Sequence, residues 1–529
     1  MKYVVVVFLI GICLVNSEEL VQIFPINQDE VQKLTHNRIP VIAQIENSYI
    51  ALLNCDEIAR LNETKIDYQL ISSAPPSEDF YIVTPPENAD LNYCASVVAQ
   101  YATILLTYEG RFLVSGRPSM IEYLPNLRYH IAHIPRSPMV LESRFLPEVK
   151  PSNRYNAVVK WVIDQITPGE LAQLIRDLSG ENPVVVGGRT DTILTRHANW
   201  AKNSVAIRYY YEKMRSYGVD SVVYHPFSTD SNVIATRVGR VYPRQQYLIG
   251  GHIDDMPNAS RAPGADDNAT GTVAGMICAK YIRGIPFKRT IKFVAWNQEE
   301  LGLIGSEAYA SQAAARRDSI QGYFNADMIA YETSNFDSIR CYNGNRAGSI
   351  ILSNKFNQMN IDYNLGLRIR LSTSTPTNSD HYSFWRNGFE AVDIYEDDAN
   401  PYYHTANDRI TTLDTIYYTK VVKCMVAAVL ELAEPDTVFQ DLEEKISTKL
   451  NRAISIRPNP ARKFVTFTVN DPQFENGMIK IYDTSGKLIT EYNSLQAGQP
   501  LYLNLSPGVY FARYITLDQV VTKKFILVE

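Results

Sequence analysis

An α/β fold is predicted for the middle of this chain, built on a mixed, mostly parallel sheet sandwiched by helices. A β-rich region precedes it and a small antiparallel β-sandwich follows. Three observations predict this. Between 153 and 436 helical and strand-like patterns alternate, as expected where crossover helices cover a parallel sheet. Within that span the apolar runs Tyr247–Gly251, Thr290–Ala295 and Gly322–Phe324 are each followed, a few residues on, by acidic or histidine side chains. Beyond about 454 the texture changes to short strands separated by tight-turn residues.

Taken in order, residues 1–17 read as a signal peptide: Lys2, an apolar run from Tyr3 to Val15, then Val15-Asn16-Ser17 with small residues suited to cleavage. The run is too short to cross a bilayer, which takes roughly 20 apolar residues, and no later stretch is long enough. The mature protein is therefore expected to be exported and to lack a transmembrane segment. Residues 18–152 show β-rich runs broken by Pro, Asn and Ser, and form a predicted accessory domain. Ile42-Ala43-Gln44-Ile45-Glu46 and Val98-Ala99-Gln100-Tyr101-Ala102, each followed by an Ile/Leu run and then a Tyr-containing strand, hint at a duplicated unit. His130 and His133, three apart in a strand-like run, point to opposite faces and do not suit joint metal ligation. Helices are predicted over Ala157–Ile166, Pro168–Leu178, Trp200–Tyr217, Thr272–Ile282, Ser306–Arg316, Ala347–Gln358 and Leu413–Leu432. Residues 437–453 read as a charged linker, and 454–529 as the terminal β-sandwich.

The chain has 529 residues, 45% of them hydrophobic and 20% charged, enough for about three domains. Lys plus Arg number 51 against 57 Asp plus Glu, with no basic block, which argues against a nucleic-acid partner. Six cysteines, five after removal of Cys13, are too few for a disulfide scaffold, although Cys55 and Cys94 are placed to pair in an oxidising compartment.

The chemistry lies in the central region. Ligands of open α/β sheets bind beyond the carboxyl ends of the strands, so the polar groups after these strands should meet in one crevice. A dinuclear hydrolytic centre needs His and carboxylate ligands, one bridging carboxylate, and a free base. His252 in Gly251-His252-Ile253-Asp254 suits one metal, with Asp254 orienting its imidazole. Asp267, opening a helix, is placed to bridge. Of Glu299 and Glu300, adjacent and diverging, one can ligate while the other serves as general base. Asp327 adds a carboxylate, and His404 in a late loop is the expected last ligand. His381 is its rival, ranked second as a pocket or substrate-binding group. His36, His197 and His225 have no carboxylate context and are read as surface or core. Singly, each acidic pair is an ordinary solvated turn; jointly, their recurrence after apolar strands is not.

These motifs, together with Gly264-Ala265-Asp266-Asp267-Asn268-Ala269-Thr270-Gly271, Glu299-Glu300-Leu301-Gly302, Asn325-Ala326-Asp327-Met328, Ser379-Asp380-His381 and Tyr403-His404-Thr405, resemble the M28 family of zinc aminopeptidases over roughly Arg154 to Glu434. The resemblance implies two zinc ions. One would be held by His252, Asp267 and Asp327, the other by Asp267, Glu300 and His404. Glu299 would be the base and Asp254 the group orienting His252. It implies peptide substrates with a free N-terminus, leaving carboxypeptidase or dipeptidase specificity open. A glutaminyl cyclase, a relative with one zinc, and an inert surface-displayed binding protein are the alternatives. At the other end, Pro458-Asn459-Pro460, the turn Asp483–Gly486, Ser506-Pro507-Gly508-Val509-Tyr510 and the terminal Lys523–Val528 resemble the C-terminal sorting domain of type IX secretion substrates. That resemblance implies the type IX machinery as partner and a secreted or surface location.

Overall fold

The computed structural model describes residues 18–144, 146–147 and 156–436, and most strands between 454 and 527. The predicted signal peptide, the linker 437–453 and most of the Asp483–Gly486 turn lie outside the described residues. Residues up to Pro435 form one compact unit and those from Asp436 a second.

The first unit opens with two copies of one motif. Strands β1 (Glu19–Phe24), β2 (Val41–Ile45), β3 (Ser48–Leu53) and β4 (Asp67–Ser72) form a sheet of order β2-β3-β1-β4. Strands β5 (Asp79–Thr84), β6 (Thr103–Tyr108), β7 (Arg111–Gly116) and β8 (His130–Ile134) repeat it as β6-β7-β5-β8. In each copy a helix follows the first strand and another the third, Gln28–His36 and Cys55–Thr64, then Leu91–Val98 and Pro118–Ile121. This is a tandem of βαββαβ units. Both central hairpins turn through a left-handed glutamate, Glu46 (φ 48°) and Glu109 (φ 47°). The hint of duplication pointed to the wrong partner. Val98 ends a helix, and the counterpart of Val41–Ile45 is Thr103–Tyr108.

The helices of this region escaped the strand-dominated reading because they are short, although their caps are legible. Asn54 and Glu57 form a reciprocal capping box, and Asn27 and Asp90 cap two others. The suggested Cys55–Cys94 pairing is corrected: Cys94 is a free thiol packed in the core of the second βαββαβ copy with Phe112 and Val114, while Cys55 opens a helix of the first copy.

After the hairpin β9 (Val184–Val186) and β10 (Arg189–Asp191) comes an eight-stranded sheet of order β11-β12-β14-β13-β15-β18-β16-β17. Its strands are β11 (Ser221–Phe227), β12 (Asp230–Arg237), β13 (Tyr242–His252), β14 (Arg289–Trp296), β15 (Ser319–Ala326), β16 (Ser338–Tyr342), β17 (Arg368–Ser372) and β18 (Ala391–Glu396). The central four, β14, β13, β15 and β18, run parallel, and antiparallel neighbours flank them, so the sheet is mixed as predicted. Parallel strands are covered on both faces, which explains their near-continuous apolar runs. The covering helices include Gly271–Tyr281, Ile304–Arg316, Ala347–Asp362 and Thr415–Ala433. The two N-terminal sheets are not loosely attached. Leu20, Ile42, Ile50, Phe80, Leu113 and Ile134 share one apolar cluster with Leu248, Trp296, Tyr323 and Phe384 of the α/β body.

The second unit holds two antiparallel sheets, β19 (Ile454–Arg457), β20 (Phe464–Val469) and β23 (Pro500–Tyr502), and β22 (Leu488–Tyr492), β21 (Met478–Tyr482), β24 (Gly508–Ile515) and β25 (Val520–Leu527). Val465, Phe467, Ile481, Tyr514 and Phe525 form its core. Among the described residues, no helix is long and apolar enough to cross a membrane.

Candidate metal centre

Four parallel strands end at one place, and each delivers part of the site. His252 is the last residue of β13, Glu299 and Glu300 follow β14, Asp327 follows β15, and the loop after β18 carries His404. The shape of each loop follows from local bonds. Glu299 and Glu300 each donate a backbone N–H to the Asp254 carboxylate at 3.2 Å, so Asp254 fixes the turn that aims both glutamates. The Asp327 N–H bonds to the Ile394 carbonyl, extending the β15–β18 ladder past its last strand residue. Asp267 is held by its own N–H on Asp408 Oδ2 at 3.0 Å, and Asp408 shares a loop with His404. Behind these loops Arg196, fully buried, donates to the carbonyls of Leu178, Ile253, Pro263 and Gly264 and pairs with Asp255 at 3.4 Å. Gly264 has φ +49° and lies so close to Asp255 and Arg196 that a Cβ would meet both under 3 Å.

The six side chains form a closed constellation, all of them buried. His252 Nε2 lies 3.3 Å from Asp267 Oδ1, 3.4 Å from Asp327 Oδ1 and 3.9 Å from Glu299 Oε2. His404 Nε2 lies 3.2 Å from Asp267 Oδ2 and 3.0 Å from Glu300 Oε2. Asp267 thus directs one oxygen at each histidine.

The opposite ring nitrogens decide what this geometry means. His252 Nδ1 faces the Asp254 backbone carbonyl at 3.2 Å and His404 Nδ1 faces the Pro125 carbonyl at 2.6 Å. A carbonyl only accepts, so Nδ1 carries a proton in both rings, and Nε2 is the atom each ring turns toward the carboxylate oxygens. Carboxylate oxygens crowded against Nε2 in a desolvated site need positive charge between them, which a proton on Nε2 or a metal ion bound to it supplies. Glu300 Oε1 and His404 Nε2 are also buried without a hydrogen-bond partner. The donor set, imidazole and carboxylate without thiolate, suits zinc, manganese or cobalt, and two overlapping groups, His252-Glu299-Asp327 and His252-Asp267-Glu300, have the spacing to hold an ion.

The electrostatics agree. Burial opposes charge on Asp267, but the His252 and His404 imidazoles beside it outweigh burial and hold its carboxyl well below the usual range. Burial also disfavours the imidazolium of His404, yet Glu300 and Asp267 override it and lift the ring to about 10. Burial pushes Glu299 well above the carboxylate range, with His252 opposing and Glu300 and Asp327 reinforcing. A site that pulls protons onto both imidazoles this strongly is one a divalent cation fits.

The remaining candidates are placed as follows. His381 is fully buried, with Nε2 on the Pro376 carbonyl at 2.9 Å, Nδ1 3.6 Å from Asp393 and its ring edge-on to Trp385. None of these partners belongs to the constellation. Asp254 keeps its expected neighbour, with Oδ1 3.6 Å from His252 Nδ1, and adds the unforeseen hold on Glu299 and Glu300. Arg196, Asp408 and His130 were missed. His130 lies in the N-terminal region, its ring 5.0 Å from that of Tyr403. No spacing rule links it to a site more than 120 positions downstream.

His197 and His381 also make the fold sensitive to acid. Burial lowers His197 to about 4 and His381 to about 3, below the ordinary value of about 6.5. A lowered histidine stabilises the fold above the unfolded value and loses that contribution as pH falls toward the folded one. Between pH 7 and pH 4, with a chelator present, the wild type should therefore lose stability to denaturant relative to His381→Gln. Equal slopes for wild type and variant would contradict this.

Residues 232–429 match peptidase family M28, and residues 455–529 match a secretion system C-terminal sorting domain. Residues 232–429 carry an M28 peptidase domain. Among relatives, it is 27% identical over 307 residues to leucine aminopeptidase 1 of Trichophyton rubrum, covering 54% of this chain and 78% of that protein. It is 26% identical over 235 residues to aminopeptidase YwaD of Bacillus subtilis (strain 168), covering 41% of this chain and 49%, about half, of that one. The LapA aminopeptidase of Legionella pneumophila shares the fold, with a TM-score of 0.53 at 19% identity over 68% of this chain and 99% of that one. The M28 match spans β12 to the helix Thr415–Ala433, and so contains every one of the six constellation residues.

Proposed function

We propose that this chain is a secreted dinuclear zinc aminopeptidase, removing N-terminal residues from peptides. The M28 domain and the leucine aminopeptidase relatives support a metallo-aminopeptidase, and the sorting domain supports secretion or surface display. The observation that carries two ions rather than one is the division of the Asp267 oxygens between His252 and His404. On this reading His252, Asp267 and Asp327 hold one zinc, and Asp267, Glu300 and His404 the other. When bound, the two ions polarise the scissile carbonyl and acidify the attacking water. Glu299, left free of ligation, takes the proton of that water and passes it to the leaving amine. Asp254 positions both His252 and the glutamate turn. Export is assigned to residues 1–17 as a signal peptide and to 454–529 as the sorting domain read by the type IX machinery. Residues 153–436 form the catalytic domain.

The test is hydrolysis of paired peptides, one with a free and one with an acylated N-terminus, with metal counted per chain. Cleavage of the free-amine peptides alone, abolished by chelation and restored by zinc at two ions per chain, is the expected outcome. One ion per chain with cyclisation of N-terminal glutamine would point to a glutaminyl cyclase, and zinc binding without turnover to an inert binding protein.

A further inference from the structure

The two candidate metal-binding histidines are held in different ways. His252 gives its Nδ1 proton to Asp254, two residues away in the same loop. His404 gives its own to the carbonyl of Pro125, 279 positions upstream in the second βαββαβ unit. That carbonyl belongs to a single turn, Pro125–Leu127, between the helix Pro118–Ile121 and β8. The turn is tied down beside the site. Asn126 Oδ1 accepts the Asn258 N–H at 2.9 Å, and Arg128 Nη2 donates to the Pro401 carbonyl at 3.1 Å. Directly beyond it, the Tyr403 hydroxyl is hydrogen-bonded to His130 Nδ1 at 3.1 Å, and the His133 N–H reaches the Gly302 carbonyl at 3.2 Å. One strip of the N-terminal region therefore touches the loops that carry His252, Glu299 with Glu300, and His404. Its sheet shares the apolar core of the α/β body, through Phe80, Leu113 and Ile134.

We infer that the second N-terminal unit is part of the metal centre, with Pro125 the positioning residue of His404. Its carbonyl fixes the ring so that Nε2 faces the second ion, and the turn sets the affinity of the position shared by His404 and Glu300. The physical reason is general. A ligating imidazole is oriented and made more basic by the acceptor on its other nitrogen, and loss of such an acceptor costs on the order of 10–100-fold in metal affinity. The unusual feature is that this acceptor comes from outside the catalytic domain. It follows that the working enzyme keeps this unit in place, and that the α/β body alone lacks one of its two orienting groups.

The inference rests on the two-zinc reading above, and zinc calorimetry on the full-length, metal-stripped protein separates the two. The variant N126A/R128G removes both side-chain tethers of the turn while leaving every proposed ligand intact. Gly suits position 128, whose φ is +67°. Two zinc-binding events are expected for wild type, and in the double variant one of them should weaken by about 10–100-fold while the other is unchanged. Asn126→Asp alone, which keeps the accepting oxygen, should bind as wild type does. Unchanged affinity at both positions in the double variant overturns the inference, as does an equal loss at both, which would report general loosening. Wild type that takes up fewer than two zinc ions overturns the dinuclear reading itself. Should the double variant not fold, cobalt-loaded wild type decides. The shifted Nδ1 proton of His404 must exchange slowly with water if Pro125 covers it, and fast exchange overturns the inference.

Discussion

Glu299→Gln lowers turnover by about 100- to 10,000-fold, the range typical of a lost general base, while zinc content stays at the wild-type level. The expectation follows from what the structure asks of that side chain. Glu299 is 6% exposed, and its Oε2 stands 3.9 Å from His252 Nε2, farther than the oxygens of Asp267 and Asp327. Its backbone N–H, not its carboxylate, is what Asp254 holds. Gln keeps the shape and the backbone bond but cannot accept a proton from water. The neighbouring change Glu300→Gln is the contrast, because it removes a proposed ligand and should lower zinc affinity as well as turnover. Metal analysis beside single-turnover rates separates the two. A Glu299→Gln protein that keeps full zinc and near-normal turnover would place the base elsewhere.

Arg196→Leu destabilises the first unit by about 3–5 kcal/mol, the cost of breaking a buried ion pair from one side. The guanidinium bonds four carbonyls from three stretches of chain and pairs with the Asp255 carboxylate, and both side chains are fully buried. Its removal strands Asp255 without a counter-charge and loosens the loop that runs from His252 to Asp267. The R196L/D255L double variant removes both charges together and should recover part of the loss, because apolar replacement of a whole buried pair is far less costly than removal of one member. Urea unfolding of wild type, both single variants and the double closes the cycle. A double variant as unstable as the sum of the singles would show that the pair is not the origin of the effect.

The α/β alternation was readable because strands buried on both faces must be apolar along their whole length, and the helices between them keep an apolar stripe. The ends of β13, β14 and β15 could be marked for the same reason, since an acidic cluster that follows such a strand has no packing explanation. Less was readable in residues 18–134. There the helices are short and rely on caps such as Asn54 with Glu57 rather than on long periodic stripes. The repeat was noticed but misregistered, because sequence similarity compared short runs, whereas the equivalence lies in the strand order shared by the two sheets.

What the sequence determined by itself was the chemistry available: which residue types follow which strands, and hence a hydrolytic centre of imidazole and carboxylate at one edge of a parallel sheet. What only the tertiary structure decided was how those groups are held. The division of Asp267 between His252 and His404, the Arg196 tie behind the loops, and the Pro125 carbonyl on His404 each join stretches far apart in the chain. The physical reason is that side-chain period and spacing act over a few residues, whereas hydrogen bonds between loops depend on where packing of the apolar core leaves their ends.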